Sequence, residues 1–124
     1  MPIVTGLSQE NSIQEDMEGS PFTFYLTGSR YFGTENFNSD TDYFTSDNSG
    51  IREWLVNKGF HKNTVSRYVD MLTTEVWSNF ALPVDVQICK DVEKKVNIQA
   101  VMKALGMLYP TKEMWNFAYV LLSK

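Results

Sequence analysis

Asp40 and Asp42 stand two apart in the run Asn38-Ser-Asp-Thr-Asp42. On an extended backbone two such side chains leave the same face. Carboxylates held side by side repel each other unless a cation lies between them, and oxygen donors of this kind suit Mg²⁺ or Mn²⁺. Taken alone, the pair reads equally as a polar turn in which Asx residues cap their own backbone. It is not an EF-hand loop, because Phe44 and Thr45 stand where a ligand and a glycine are needed. A third acid shifts the balance. Asp85 is the only acid in Leu82-Pro-Val-Asp-Val-Gln-Ile-Cys89, where Gln87 and Cys89 share its face and Val84, Val86 and Ile88 take the other. One acid on a half-buried strand is ordinary, but a third carboxylate on a neighbouring strand is what a two-metal centre requires.

Gly28-Ser29 follows an apolar stretch and offers backbone N–H groups and a hydroxyl, a reasonable cradle for phosphate. The segment is not a Walker loop, since Thr34-Glu35 replaces the Lys-Ser/Thr pair. Nor is it a dinucleotide fingerprint, since Arg30 takes the middle glycine position. Arg30 could hold phosphate oxygens bidentately or pair with Glu35. Other chemistry-bearing residues have plainer readings. His61 reads as a loop residue, and Cys89 as half-buried packing without a histidine to activate it. Trp54, Trp77 and Trp115 read as core or helix packing. Tyr31, Tyr43 and Phe44 read as core residues first and stacking platforms second. Lys90, Lys94 and Lys95 read as the solvated start of a helix, with phosphate contact as the second reading.

These residues need a scaffold. Phe22 to Thr27, aromatic and β-branched between Pro21 and Gly28, predicts a strand. One or two helical turns begin at Ser29, and Asp42 to Thr45 makes a second strand. Capping residues at Ser46 to Ser49 precede a helix over Gly50–Lys58, closed by Gly59. Val65, Val69 and Leu72 predict a further helix after Asn63 or Thr64. Strands follow at Glu75–Asn79 and Val84–Cys89. Asp91 caps a helix with a broad apolar face of Val92, Val96, Ile98, Val101, Met102, Leu105 and Leu108. Thr111 caps the last, Lys112–Ser123. The order predicts an α+β fold, one mixed sheet of about four strands backed by helices. Residues 1–21 form an irregular lead-in, and 22–124 a single domain ending in two helices.

The 124 residues allow one core and little more. Eleven basic against 15 acidic residues, net −4, argue against broad electrostatic binding of nucleic acid, which needs a basic face. A nucleotide bound through cations is compatible with that balance. A single cysteine makes no internal disulfide. With no basic-then-apolar leader and no apolar run of spanning length, the expectation is a cytoplasmic protein without membrane contact.

The combined pattern resembles the nucleotidyltransferase superfamily of the DNA polymerase β type, especially its minimal single-domain members. Their signature is an apolar strand, Gly-Ser, a short helix, Asp-x-Asp and an Asp on a later strand. Here it reads Gly28-Ser29-Arg30-Tyr31-Phe32-Gly33, then Asp40-Thr41-Asp42, then Val84-Asp85-Val86. The match spans residues 22–89. The chain departs from the minimal members in lacking a convincing amphipathic helix over residues 1–20, and in a longer connection before Asp85.

The resemblance implies a nucleotidyltransferase-like sheet and a two-metal enzyme using Mg²⁺ or Mn²⁺. Asp40, Asp42 and Asp85 would be its catalytic carboxylates and metal ligands. Gly28, Ser29 and Arg30 would bind the nucleotide. The reaction would be transfer of a nucleoside monophosphate from an NTP to a hydroxyl acceptor, with release of pyrophosphate. The acceptor is left open: a partner protein, a small molecule or a local RNA end. Two alternatives stand beside the enzyme: an antitoxin-like minimal form that modifies or masks a protein partner, and an inactive interaction protein that retains the fold.

Overall fold

The structure, a computed structural model, describes Met17 and residues 19–64, 70–79 and 81–122. Nearly all of the N-terminal lead-in therefore lies outside the described residues. Strand β1 (Tyr25–Thr27) runs directly into a short helix α1 (Gly28–Phe32), and β2 (Thr41–Ser46) follows after a loop. Then come α2 (Ile51–Asn57), β3 (Phe60–Asn63), β4 (Thr73–Asn79), β5 (Val84–Cys89), α3 (Val92–Ala104) and α4 (Lys112–Leu122).

The strands make one five-stranded sheet in the order β1-β2-β5-β4-β3, parallel only between β2 and β5. The α+β class is as expected, with one strand more than anticipated. The extra strand is β3, whose Phe60-His-Lys-Asn has one apolar residue and no alternation to betray it. Only Phe60 is buried, and pairing with β4 holds the strand as a sheet edge. His61 is thus a strand residue, not a loop residue. The helix expected around Val65 and Val69 falls on residues outside those described. Leu72 lies in a turn before β4.

Alternation on the strands splits the core between two faces. Val84, Val86 and Ile88 of β5 and Trp77 of β4 meet Ile51 and Leu55 of α2, together with Phe60 and Met17. On the other face Phe44 and Cys89 pack with Val92 of α3, while Phe32 of α1 packs with Ile98 and Met102. Trp115 of α4 bridges these two clusters. Cys89 is fully buried rather than half-buried, and burial pushes its thiol up to about 11, so it stays protonated and inert.

Two helix starts follow their capping residues. Asp91 accepts from the Lys94 amide at 3.2 Å, and Thr111 Oγ1 from the Met114 amide at 3.2 Å. At α2 the polar run Ser46–Ser49 does not cap through a side chain; Gly50, left-handed at φ +85°, begins the helix instead.

The inward stripe of α3 is Val92, Lys95, Ile98, Gln99 and Met102, whereas Val101, Leu105 and Leu108 are exposed. The expected apolar face is thus rotated, and Lys95, expected in solvent, is 1% exposed. The helix turns that way because its two inward polar groups find partners: Gln99 bonds β1, and Lys95 bonds Asp70. Predicted by apolarity alone, the buried face misses both.

Candidate functional site

The parallel pairing of β2 with β5 sets Asp42 directly opposite Asp85. The same row continues to Thr27 on β1 and Ser78 on β4. Both acids leave the sheet on the face of Phe44, Gln87 and Cys89, toward α3 and α4, because the apolar residues of β5 claim the face toward α2. Register therefore makes the carboxylate pair, and burial decides its direction.

Asp42 is raised to about 7, first by burial, then by the charges of Asp85 and Asp40, with Arg30 opposing. Protonated Asp42 donates to Asp85. The Asp85 carboxyl is also raised by burial, while hydrogen bonds from Ser78 and Asp42 pull it back down. Ser78 in turn accepts from Asn63 Nδ2 at 3.0 Å. A relay thus runs from the β3 edge through β4 to the Asp85 carboxylate. Sequence reasoning missed Ser78 and Asn63, since a serine or an asparagine in a strand has no motif; only the register identifies them.

Asp40 sits just before β2, exposed, and close enough that its charge raises both other acids. Among the described residues no three His, Cys, Asp or Glu side chains converge into a ready metal cage. Asp42 and Asp85 share a hydrogen bond, and Asp40 acts on both through its charge. The pair nevertheless fits a hard divalent cation. Two half-buried carboxylates sharing a hydrogen bond present oxygen donors whose mutual repulsion a cation would relieve.

Gly28 begins α1 at φ +71°, and a Cβ there would collide with the Asp42 carboxylate. Glycine is required twice over at this position, for the left-handed backbone and for the close approach. Ser29 follows it on the same short helix. Arg30 Nη2 donates to the Ser39 carbonyl at 3.0 Å, holding the loop that ends at Asp40, and its charge acts on Asp42. Its Nε is buried without a partner among the described residues, and no ion pair joins it to Glu35.

A cavity of about 1030 Å³ lies over this face. One end carries Gly28, Ser29, Asp40, Asp42 and Asp85; the other reaches Gln87, Lys95 and the α3–α4 connection around Tyr109. A smaller hollow of about 290 Å³, beside Tyr25, Asn48 and Lys90, contains none of the three acids. Lys90 is exposed there; Lys94 stacks its ammonium over the Tyr119 ring at 5.2 Å. Tyr31 and Tyr43 pack against the hydrophobic clusters, and Phe44 is buried.

Beneath the second end of the cavity Lys95 Nζ donates to Asp70 Oδ2 at 2.8 Å, Thr73 Oγ1 at 3.0 Å and Gln87 Oε1 at 3.3 Å. The ammonium also lies over the rings of Phe44 and Trp115, at 4.3 and 4.9 Å. An ion pair this deep survives only when every donor is met. Its hydrogen-bonded members come from three separate stretches of chain, which is why no sequence motif announces it.

No protein-family model, curated protein or solved structure matches the chain.

Proposed function

We propose that the chain is a metal-dependent nucleotidyltransferase, moving a nucleoside monophosphate from an NTP to a hydroxyl acceptor and releasing pyrophosphate. One observation carries the reading: Asp42 and Asp85 meet in register across β2 and β5, beside a glycine that only the absence of a side chain lets approach. Asp40 lies at the lip of the same cavity and Ser29 within it.

Asp42 and Asp85, with Asp40 beside them, would hold Mg²⁺ or Mn²⁺, which when bound supplies electrostatic stabilisation of the entering and leaving oxygens. The protein's own groups have separate tasks. Ser78 orients the Asp85 carboxylate, which would accept the proton of an attacking hydroxyl. Ser29 offers a hydroxyl to phosphate oxygens, and the Gly28 backbone lets them come near the acids. Arg30 fixes the loop carrying Asp40 through the Ser39 carbonyl.

Thermal melting with each NTP, with and without Mg²⁺ or Mn²⁺, tests the reading on wild type and on Asp40→Ala with Asp42→Ala. Metal-dependent stabilisation lost in the double variant is expected. No NTP effect under any metal condition, or an effect independent of metal, would overturn it.

A second reading, that the chain modifies or masks a protein partner, has its own observation. Leu105, Tyr109, Phe117 and Leu121 are between 56 and 75% exposed along the end of α3 and the outer face of α4. Co-purification with the product of a neighbouring reading frame, lost in F117K, is the expected result; partner binding indifferent to that change would count against this face.

A further inference from the structure

The cavity has two chemically different ends. At one, carboxylates, a glycine and a serine hydroxyl suit a cation with phosphate. At the other, the only cation of the polar network is Lys95, and it is already spent on Asp70 at 2.8 Å. Lys112 and Glu113 at the start of α4 also line that end, one charge of each sign, so it carries no excess of positive charge to draw a phosphate.

Gln87 is the member of this network that reaches the cavity wall with something left to give. Its Oε1 lies 3.3 Å from Lys95 Nζ and 3.1 Å from Thr73 Oγ1. An ammonium only donates, so the oxygen of the amide must face Lys95 and the nitrogen must face away. Nothing among the described residues accepts from Gln87 Nε2. The buried Lys95, 1% exposed, therefore sets the orientation of an amide donor that lines the cavity. Gln87 stands two residues after Asp85 on the same face of β5, about 7 Å along the strand.

We propose that Gln87 is a specificity-determining residue: its Nε2 donates to a neutral oxygen acceptor on the nucleoside part of the substrate, a base carbonyl or a ribose hydroxyl. Lys95 is its positioning residue. The inference rests on the nucleotidyltransferase reading and adds to it the means by which the nucleoside, rather than the triphosphate, is recognised.

Calorimetric titration of the full chain with Mn²⁺ separates the two. The probes are the four NTPs, the matching dNTPs and inorganic tripolyphosphate, on wild type and Gln87→Glu. The glutamate keeps an oxygen for Lys95 and Thr73 but has no amide donor. Nucleotide affinity is expected to fall roughly tenfold or more, with tripolyphosphate affinity unchanged. Loss of discrimination between NTPs and dNTPs assigns the acceptor to the 2′-hydroxyl; loss of discrimination among bases assigns it to a base carbonyl. Unchanged nucleotide affinity, or an equal fall for tripolyphosphate, overturns the role of Gln87 while leaving the phosphate end intact. Binding of neither probe to wild type overturns the underlying reading and this inference with it. Gln87→Met, uncharged and of similar length, carries the same comparison if the glutamate unfolds the chain.

Discussion

Asp42 is the acid whose surroundings most favour its protonated form. An acid raised from 3.8 to about 7 binds its proton more tightly in the folded state. Its contribution is fully present below the unfolded value and is lost as pH rises through 7, so folding stability falls across that window. At 1.36 kcal/mol per unit, the loss is on the order of 4 kcal/mol at most. Asp42→Asn keeps a donor toward Asp85 and has no proton to lose. Urea denaturation should show the variant more stable than wild type by roughly 2–4 kcal/mol at pH 8, with the difference much smaller at pH 4. An equal difference at both pH values would mean that Asp42 is not held protonated by its surroundings.

At the scale of elements, α3 is the part that ties the sheet to the site. Gln99, 1% exposed, accepts from Thr27 Oγ1 at 2.7 Å and donates to the Leu26 carbonyl at 2.9 Å, so it secures β1 one residue before Gly28. Gln99→Met fills the space but leaves the Thr27 hydroxyl buried and unpaired. A loss of roughly 1–3 kcal/mol in unfolding free energy is expected, read by urea titration. A neutral result would show that β1 is held by its ladder with β2 alone. The helix itself was legible, with its Asp91 cap, but its orientation was not. A sequence reader assigns Lys95 and Gln99 to solvent, because the partners that make their burial tolerable lie between 8 and 73 residues away in the chain.

For the whole molecule, net charge −4 and an acidic cluster at the mouth of the cavity set the long-range field. Without cations that field repels polyanions, and under the proposed function the carboxylate end of the cavity takes one nucleotide rather than a strand. Duplex DNA or RNA of arbitrary sequence should show no measurable binding at about 150 mM salt by fluorescence anisotropy. Tight, salt-sensitive binding would reassign the partner class. No described helix is long and apolar enough to cross a membrane.

Local pattern determined a good deal of this protein. Alternation in Val84–Cys89 was enough to place Asp85, Gln87 and Cys89 on one face, because only one face of a strand can take the apolar residues into a core. The α+β class and most helix limits also followed from periodicity, caps and glycines. Tertiary structure decided the rest. Strand order and the parallel register of β2 with β5 set Asp42 opposite Asp85, and both are long-range facts that no local spacing encodes. The β3 edge, the Asn63–Ser78 relay and the buried Lys95–Asp70 pair arise in the same way, since a polar residue becomes structural only once another stretch of chain satisfies it.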